Sequence, residues 1–384
     1  MQKYIVTELT AGSHPPQWLI SGWERLVREH GTIRLFQTPM WVLNYWQFRY
    51  REATNLRLLV GKDADQIIGI IPWVIQSSRS FPFFSTWRTV HAVGEYDADW
   101  ICHPDYRETF VRMACDYFTR ERRSWFRYLH SAMREDSGVL EPLKIECQSR
   151  GIPFRYEPSR EIPFLETTDP RLIEQRLAGK FRQELGRKAR KLQQLGPVSF
   201  ENIAPRDAES LRSALGELFT VEASGWKGRA GTAIVLDPHT QGFWRAFTGD
   251  AAEQDLLMLH FLRLGDKAIA AQLGAVFGGT YYSLKLGYDE QFRSYGPGAL
   301  MMRHTIQFCI DDPAISTYDF TGPAMPYMKG WTSRTRRAGM VTLGTPRRGV
   351  PPLFQLRWYG RKKLTAAREF GRAIRPTRSD ARGV

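Results

Sequence analysis

The chain has 384 residues, 42% of them hydrophobic and 13% aromatic, which is too apolar for a disordered protein and long enough for two or three domains with a sizeable core. Its longest apolar run, 67–75, is nine residues and is broken by Gly69 and Pro72, against about 20 for a membrane-spanning helix. The N-terminus lacks a basic region followed by a long apolar core, so no signal peptide is expected. The net charge of +14 is uneven: residues 329–384 hold 15 Lys and Arg against two acids, and the rest is nearly neutral. The cysteines at 102, 115, 147 and 309 form no CxxC pair, which argues against structural zinc and a redox pair, and the expected lack of a signal favours a reducing, cytoplasmic setting with the cysteines as small hydrophobes.

In chain order, 18–30 reads as a short amphipathic helix with Trp18, Leu19, Trp23, Leu26 and Val27 on one side. An aromatic-rich stretch, 36–50, follows. The apolar runs 56–61 and 67–74, split by a polar turn, predict a hairpin. Residues 77–85 read as a loop, 91–100 carry Glu95, Asp97 and Asp99, 106–119 predict a helix and 125–131 a strand. Asp169-Pro170 supplies a helix N-cap with Pro at the first position, predicting a helix to about 195 that stops at Gly196-Pro197. Lys180, Arg182, Arg187, Lys188, Arg190 and Lys191 give that helix a basic face, either a solvated surface or a seat for an anion.

A strand at 198–203, helices at 207–222 and from 243, and three antiparallel strands at 255–264, 268–277 and 281–286 come next. A helix at 297–309 and a strand at 315–320 complete the pattern. The loosely repeated element order suggests a duplicated domain. The basic end, densest at Arg361, Lys362, Lys363, Arg368, Arg372, Arg375, Arg378 and Arg382, reads either as a solubilising terminus or as an electrostatic contact for tRNA or an anionic membrane surface.

Three segments concentrate chemistry. In 222–233, a helix ending in Glu222 enters a glycine-rich loop with Trp226, Lys227 and Arg229. This is either an acid, a planar face and a cation around one pocket, or a solvated helix end. In 281–300, strand alternation puts Tyr281, Ser283 and Lys285 on one face, with Lys285 on a pocket wall or at a rim. The following Gly296-Pro297-Gly298 opens a helix whose first amides suit an anion. In 318–322, Asp319 ends an apolar strand, where α/β sheets place functional groups, or it caps the next turn. GxSxG, HExxH and GxGxxG are absent, which disfavours serine hydrolases, zinc peptidases and dinucleotide enzymes.

In these segments the chain resembles the CelD-like acetyltransferase family, part of the GCN5-related N-acetyltransferase (GNAT) superfamily, and is similar to the Fem-type peptidoglycan ligases. The resemblance rests on Phe181-Arg182 and Arg187-Lys188, on Glu222 with Gly225-Trp226-Lys227-Gly228 and Gly231, on Tyr281-Tyr282, on Pro297-Gly298, and on Tyr318-Asp319-Phe320 with Gly322 and Lys329. It covers 160–335, and more loosely 50–160. It implies an α+β fold of tandem GNAT-like domains, each a mostly antiparallel mixed sheet flanked by helices: a degenerate one at 1–160, an acetyltransferase domain at 161–345 and a basic tail at 346–384.

The resemblance further implies acyl transfer from acetyl-CoA or another acyl-CoA, without a metal, to an amine or hydroxyl of a polar acceptor such as a nucleotide sugar or polysaccharide precursor. Arg293-Ser294-Tyr295-Gly296-Pro297-Gly298 fits the superfamily's pyrophosphate loop, with Arg293, Ser294, Gly296, Gly298 and Ala299 as donor-binding residues and Pro297 removing one amide. Asp319 and Glu222 are then the candidate bases, Tyr288 the acid, and Trp226, Lys227 and Lys285 the acceptor contacts. His304 reads as structural. The alternatives are a Fem-like ligase using aminoacyl-tRNA, or a non-catalytic scaffold in exopolysaccharide synthesis, in the cytoplasm or at the inner membrane face.

Overall fold

In the computed structural model of the protein, the described residues are 2–10, 13–29, 34–50, 55–76, 85–90, 99–171, 173 and 177–345. The 346–384 tail, most of the expected loop at 77–85, and Glu95 and Asp97 lie outside them. The strand and helix patterns of the sequence fold into two closely similar series of elements. The first runs β1 (Gln2–Leu9), α1 (Gln17–Glu29), α2 (Pro39–Arg49), β2 (Leu56–Asp63), β3 (Gln66–Gln76), β4 (Thr86–Thr89), β5 (Ile101–Cys102), α3 (Arg107–Arg120), β6 (Arg127–Arg134), α4 (Leu140–Ser149) and β7 (Phe154–Glu166). The second runs α5 (Gly179–Gln193), β8 (Val198–Ile203), α6 (Ala208–Ala223), α7 (Trp226–Arg229), α8 (Pro238–Glu253), β9 (Leu257–Leu264), β10 (Lys267–Phe277), β11 (Thr280–Tyr288), α9 (Pro297–Asp311), β12 (Thr317–Asp319) and β13 (Thr335–Gly344).

The strand order β1-β2-β3-β4-β6-β13-β7-β12-β11-β10-β9-β8 reads as a palindrome when β1 is matched to β8, β2 to β9, β3 to β10, β4 to β11, β6 to β12 and β7 to β13. The hairpins agree in length: β2 and β9 have eight residues each, β3 and β10 eleven each. In each half one parallel pair, β4 with β6 and β11 with β12, is held by three residue pairs. A parallel pair needs a crossover, and the crossovers carry α3 and α9. The remaining pairs are antiparallel. The fold is therefore a mixed α/β architecture with a mostly antiparallel sheet and tandem halves.

The halves exchange their last strands. β7 follows α4 but pairs with β12 through Phe164–Glu166, while β13, the last strand of the second half, pairs with β6. β7 and β13 also pair with each other. Residue 160 falls inside β7. One apolar cluster is shared as well: Trp41 of α2 packs edge-on against Phe243 and Phe247 of α8, with centroids at 5.1 and 4.9 Å.

Asp169-Pro170 does not start the long basic helix. The Asp169 carboxylate accepts from the Arg171 amide, at 3.0 Å, and α5 begins at Gly179. An Asp followed by Pro serves a turn as well as a helix cap, and here it serves the turn.

Candidate functional site

β11 and β12 are registered only at Thr280 with Thr317, Tyr281 with Tyr318 and Tyr282 with Asp319. Beyond Tyr282 the strands part, and among the described residues no strand pairs with the remainder of β11 on that side. The fork is closed by Thr321, whose hydroxyl donates to the Ser283 carbonyl at 2.6 Å. Beneath it lies a buried polar network. Gln272 Nε2 donates to Tyr318 Oη at 2.9 Å, Ser283 Oγ at 3.1 Å and Tyr281 Oη at 3.2 Å, and Thr305 of α9 donates to Gln272 Oε1 at 3.3 Å. Burial pushes the Tyr318 phenol up to about 12, so the network is neutral and fixes the fork rather than moving protons.

Tyr281, Ser283 and Lys285 do not share a face. Leu273 pairs with Lys285 but Gly274 pairs with Ser283, leaving Leu284 as the extra residue of a β-bulge. Tyr281 stacks on Tyr318 toward α9. Lys285 is turned to the opposite face, its ammonium 5.1 Å from the ring centre of Trp244 in α8.

At the far end of β11, Asp289 caps a 3₁₀ turn by accepting from the Gln291 amide at 3.0 Å and pairs with Lys267 at 2.7 Å. Arg293 and Ser294 are exposed on this turn. Gly296 is left-handed at φ 64°, which favours glycine. A Cβ there would lie 2.7 Å from Lys188 Cδ and 3.3 Å from its Nζ, so the basic helix α5 lays an ammonium over the loop. Pro297 has no amide, and the Ala299 and Leu300 amides both return to the Gly296 carbonyl. Gly298 thus supplies the first amide of α9, and its Cβ position lies 3.0 Å from the Tyr288 ring. A cation and a helix start converge on one backbone approach, an arrangement suited to phosphate.

Glu222 is buried near this end: the Cβ position of Gly287 falls 2.7 Å from Glu222 Cα. Its carboxylate takes the Lys227 ammonium at 3.0 Å and the Ile234 amide at 2.9 Å. The expected glycine-rich loop is the short helix α7, tied by the ion pair of Arg229 with Glu290. Trp226, 51% exposed, stands at its start.

Asp319 lies elsewhere. It is paired across from Tyr282, six residues from Tyr288, or about 20 Å along a strand. Fully buried, its Oδ2 takes Arg34 at 2.5 Å and Arg336 at 3.1 Å, and its Oδ1 takes the Thr321 amide at 2.8 Å. Both arginines line a cavity of about 350 Å³ that also receives Arg107, Arg134, Asp99 and Ser137. Burial holds the Asp99 carboxyl up to about 6, above the ordinary Asp value. The structure thus gathers Glu222, Trp226, Lys227, Tyr288, Gly296, Gly298 and Ala299 at one end of β11. It sets Asp319 at the other, with Lys285 between them on the α8 face. Arg34, Arg107, Arg134 and Arg336 carry no sequence signal as a site, and Asp99 stands out only as one of several acids in 91–100, because single residues in three elements and two connecting segments leave no local pattern.

Among the described residues no group of three His, Cys, Asp or Glu is placed to hold a metal, and no helix is long and apolar enough to cross a membrane. Residues 179–329 match the model of the Acetyltransferase (GNAT) domain. No curated protein matches the chain. Among solved structures the chain is similar to FemX, at 12% identity over 91% of this chain and 99% of that one, with a TM-score of 0.59. It is also similar to L-PGS from Bacillus licheniformis, at 10% identity over 94% and 98%, with a TM-score of 0.55. At such identities the likeness is one of fold. The forked β11–β12 pair and the α9 loop both lie inside the segment, 179–329, that is similar to the Acetyltransferase (GNAT) domain, within a tandem, mixed α/β fold.

Proposed function

We propose that the protein is an acyltransferase that takes an acyl group from an acyl-CoA, acetyl-CoA first among them, and passes it to an amine or hydroxyl of a polar acceptor. The observation that carries this reading is the fork itself, where β11 parts from β12 beyond Tyr282 and runs on to a loop at which Gly296, Gly298 and Lys188 meet. An extended thioester donor fits such a fork, with its phosphates at the α9 end and its acyl group at the Tyr282 end. Tyr288 and Trp226 then serve the donor's phosphate end rather than the reacting carbon.

The acceptor nitrogen or oxygen attacks the thioester carbonyl and the carbon–sulfur bond breaks. The acceptor's proton passes to a carboxylate and ends on the departing sulfur. Asp319 is engaged by two guanidinium groups, whereas Asp99 faces the cavity with a raised affinity for protons, so Asp99 is the stronger candidate base. Placement in the CelD-like family, and a glycan precursor as acceptor, belong to this same reading.

Calorimetric titration of the full chain with acetyl-CoA tests it. Micromolar binding, lost in Gly298→Trp, is expected, because a side chain at 298 meets Tyr288. A folded parent chain that does not bind acetyl-CoA overturns the acetyl-CoA reading. It would turn attention to an aminoacyl-tRNA donor, for which the exposed cations Lys180, Arg182, Arg187, Arg190 and Lys191 of α5 speak, with salt-sensitive tRNA binding as its mark.

A further inference from the structure

The palindromic topology gives the first half its own counterpart of the donor loop. α3 corresponds to α9 as the crossover helix, and β6 corresponds to β12 as the strand that leaves a three-pair parallel contact. The cavity lies where these first-half elements end: Arg107 is the first residue of α3, Arg134 the last of β6, and Ser137 and Gly138 follow. Thr280 and Tyr282 of β11 close it from the second half.

The charges around the cavity are not balanced evenly. Arg34 and Arg336 are held by Asp319, and Arg134 forks onto Asp136 through Nε at 2.6 Å and through Nη2. Arg107 makes no ion pair or hydrogen bond with any described residue. Its guanidinium instead lies against Gly138, where a Cβ would come within 2.5 Å of Nε, 2.6 Å of Cζ and 2.7 Å of Nη1. A glycine there gives the guanidinium room, and with Asp99 within electrostatic reach of Arg107 the four arginines around the cavity outnumber Asp99, Asp136 and Asp319 by one charge. A guanidinium presents two parallel N–H groups that match the oxygens of a phosphate or a carboxylate.

We propose that this cavity is a second ligand site, which takes the oxyanion of a small polar molecule with Arg107 as its primary contact. The volume of about 350 Å³ accommodates a sugar-sized ligand with its charged group. The shared chemistry is that of a phosphate ester or a carboxylate. Naming this ligand as the acceptor rests on the acyl-transfer reading, but the site itself does not.

The test is calorimetric titration of the full chain with glucose 1-phosphate, glucuronate and neutral glucose. At least one charged sugar is expected to bind and glucose is not; the tighter of the two charged sugars identifies the oxyanion. Arg107→Met is expected to weaken binding at least tenfold. Arg107→Lys weakens it less, since it keeps the charge and loses the fork, and Gly138→Ala weakens it by displacing the guanidinium. Acetyl-CoA binding is expected to be unchanged in all three variants, which separates failure of this site from failure of the donor site. The proposal is overturned if neither charged sugar binds the folded parent chain, if glucose binds as well as they do, or if Arg107→Met binds them as tightly as the parent.

Discussion

Asp319 is a buried carboxylate shared by two guanidinium groups, and Arg34, one of the pair, is itself buried. Removing the carboxylate strands those charges in a place that water does not relieve. Asp319→Ala is therefore expected to cost about 3–5 kcal/mol of stability, read from urea unfolding. A loss below about 1 kcal/mol would mean that the arginines are satisfied without it. His260 makes a second prediction. Its Nδ1 bonds Asn202 Oδ1 at 2.6 Å, and burial, with His304 nearby, pulls its affinity for protons down to about 3. Below the ordinary value near 6.5, the unfolded chain takes up a proton that the folded chain refuses. Stability contributed by the neutral ring is thus complete above about 6.5 and falls as pH drops toward 3, by at most about 1.4 kcal/mol per pH unit. Unfolding free energies of the parent chain and of His260→Gln between pH 7 and pH 4 check this: the variant's curve should be the flatter, and parallel curves would rule His260 out.

Elements differed in how much of them the sequence revealed, for reasons that lie in pairing. The β2–β3 hairpin, the β9–β11 meander, the Asp207 cap of α6 and the Pro297 start of α9 rest on local signals, and they stand close to where periodicity and capping put them. β7 and β13 left no such trace. β7 carries Pro158 and Pro163 and has no fully buried residue over its first half, and its partners lie more than 150 residues away. Strand alternation puts Lys285 on the wrong face because one extra residue, Leu284, forms a β-bulge that reverses it, and only the register with β10 reveals the bulge. The loop that opens α9 is legible because Gly296, Pro297 and Gly298 mark it in a short stretch, whereas the arginine cavity is assembled by topology alone. The junction of α6 and α7 offers a test at this scale. A Cβ at Gly228 would sit 1.9 Å from the Ala223 carbonyl oxygen, and neither backbone can yield without unseating the pair of Glu222 with Lys227. Gly228→Ala is expected to destabilise by about 1–3 kcal/mol and to weaken acetyl-CoA binding. Gly216→Ala, where nothing lies within 4 Å of the added Cβ, is the control and should change neither.

The exchange of last strands makes the two halves one cooperative object. β13 comes from the end of the second half, yet Val341 and Leu343 are fully buried in the first-half core with Trp87, Trp125 and Tyr128. On the other side of the seam, Trp41 belongs to the same apolar cluster as Phe243 and Tyr282 of the second half. Loosening either half therefore exposes apolar surface of the other, so local damage propagates instead of melting one lobe. The cavity depends on this too, because Arg336 sits on β13 and Arg134 on the strand it pairs with. Val341→Asp places an unpaired carboxylate between β6 and β7, at a cost of about 3 kcal/mol or more. If the halves are coupled as the strand pairing requires, urea unfolding of this variant will remain a single transition at a lower midpoint. The near-ultraviolet signal of the first-half tryptophans and the acetyl-CoA-induced stabilisation of the second half will then be lost together. Two separate transitions, with the acetyl-CoA response surviving the first, would show that the exchanged strand ties the halves only loosely.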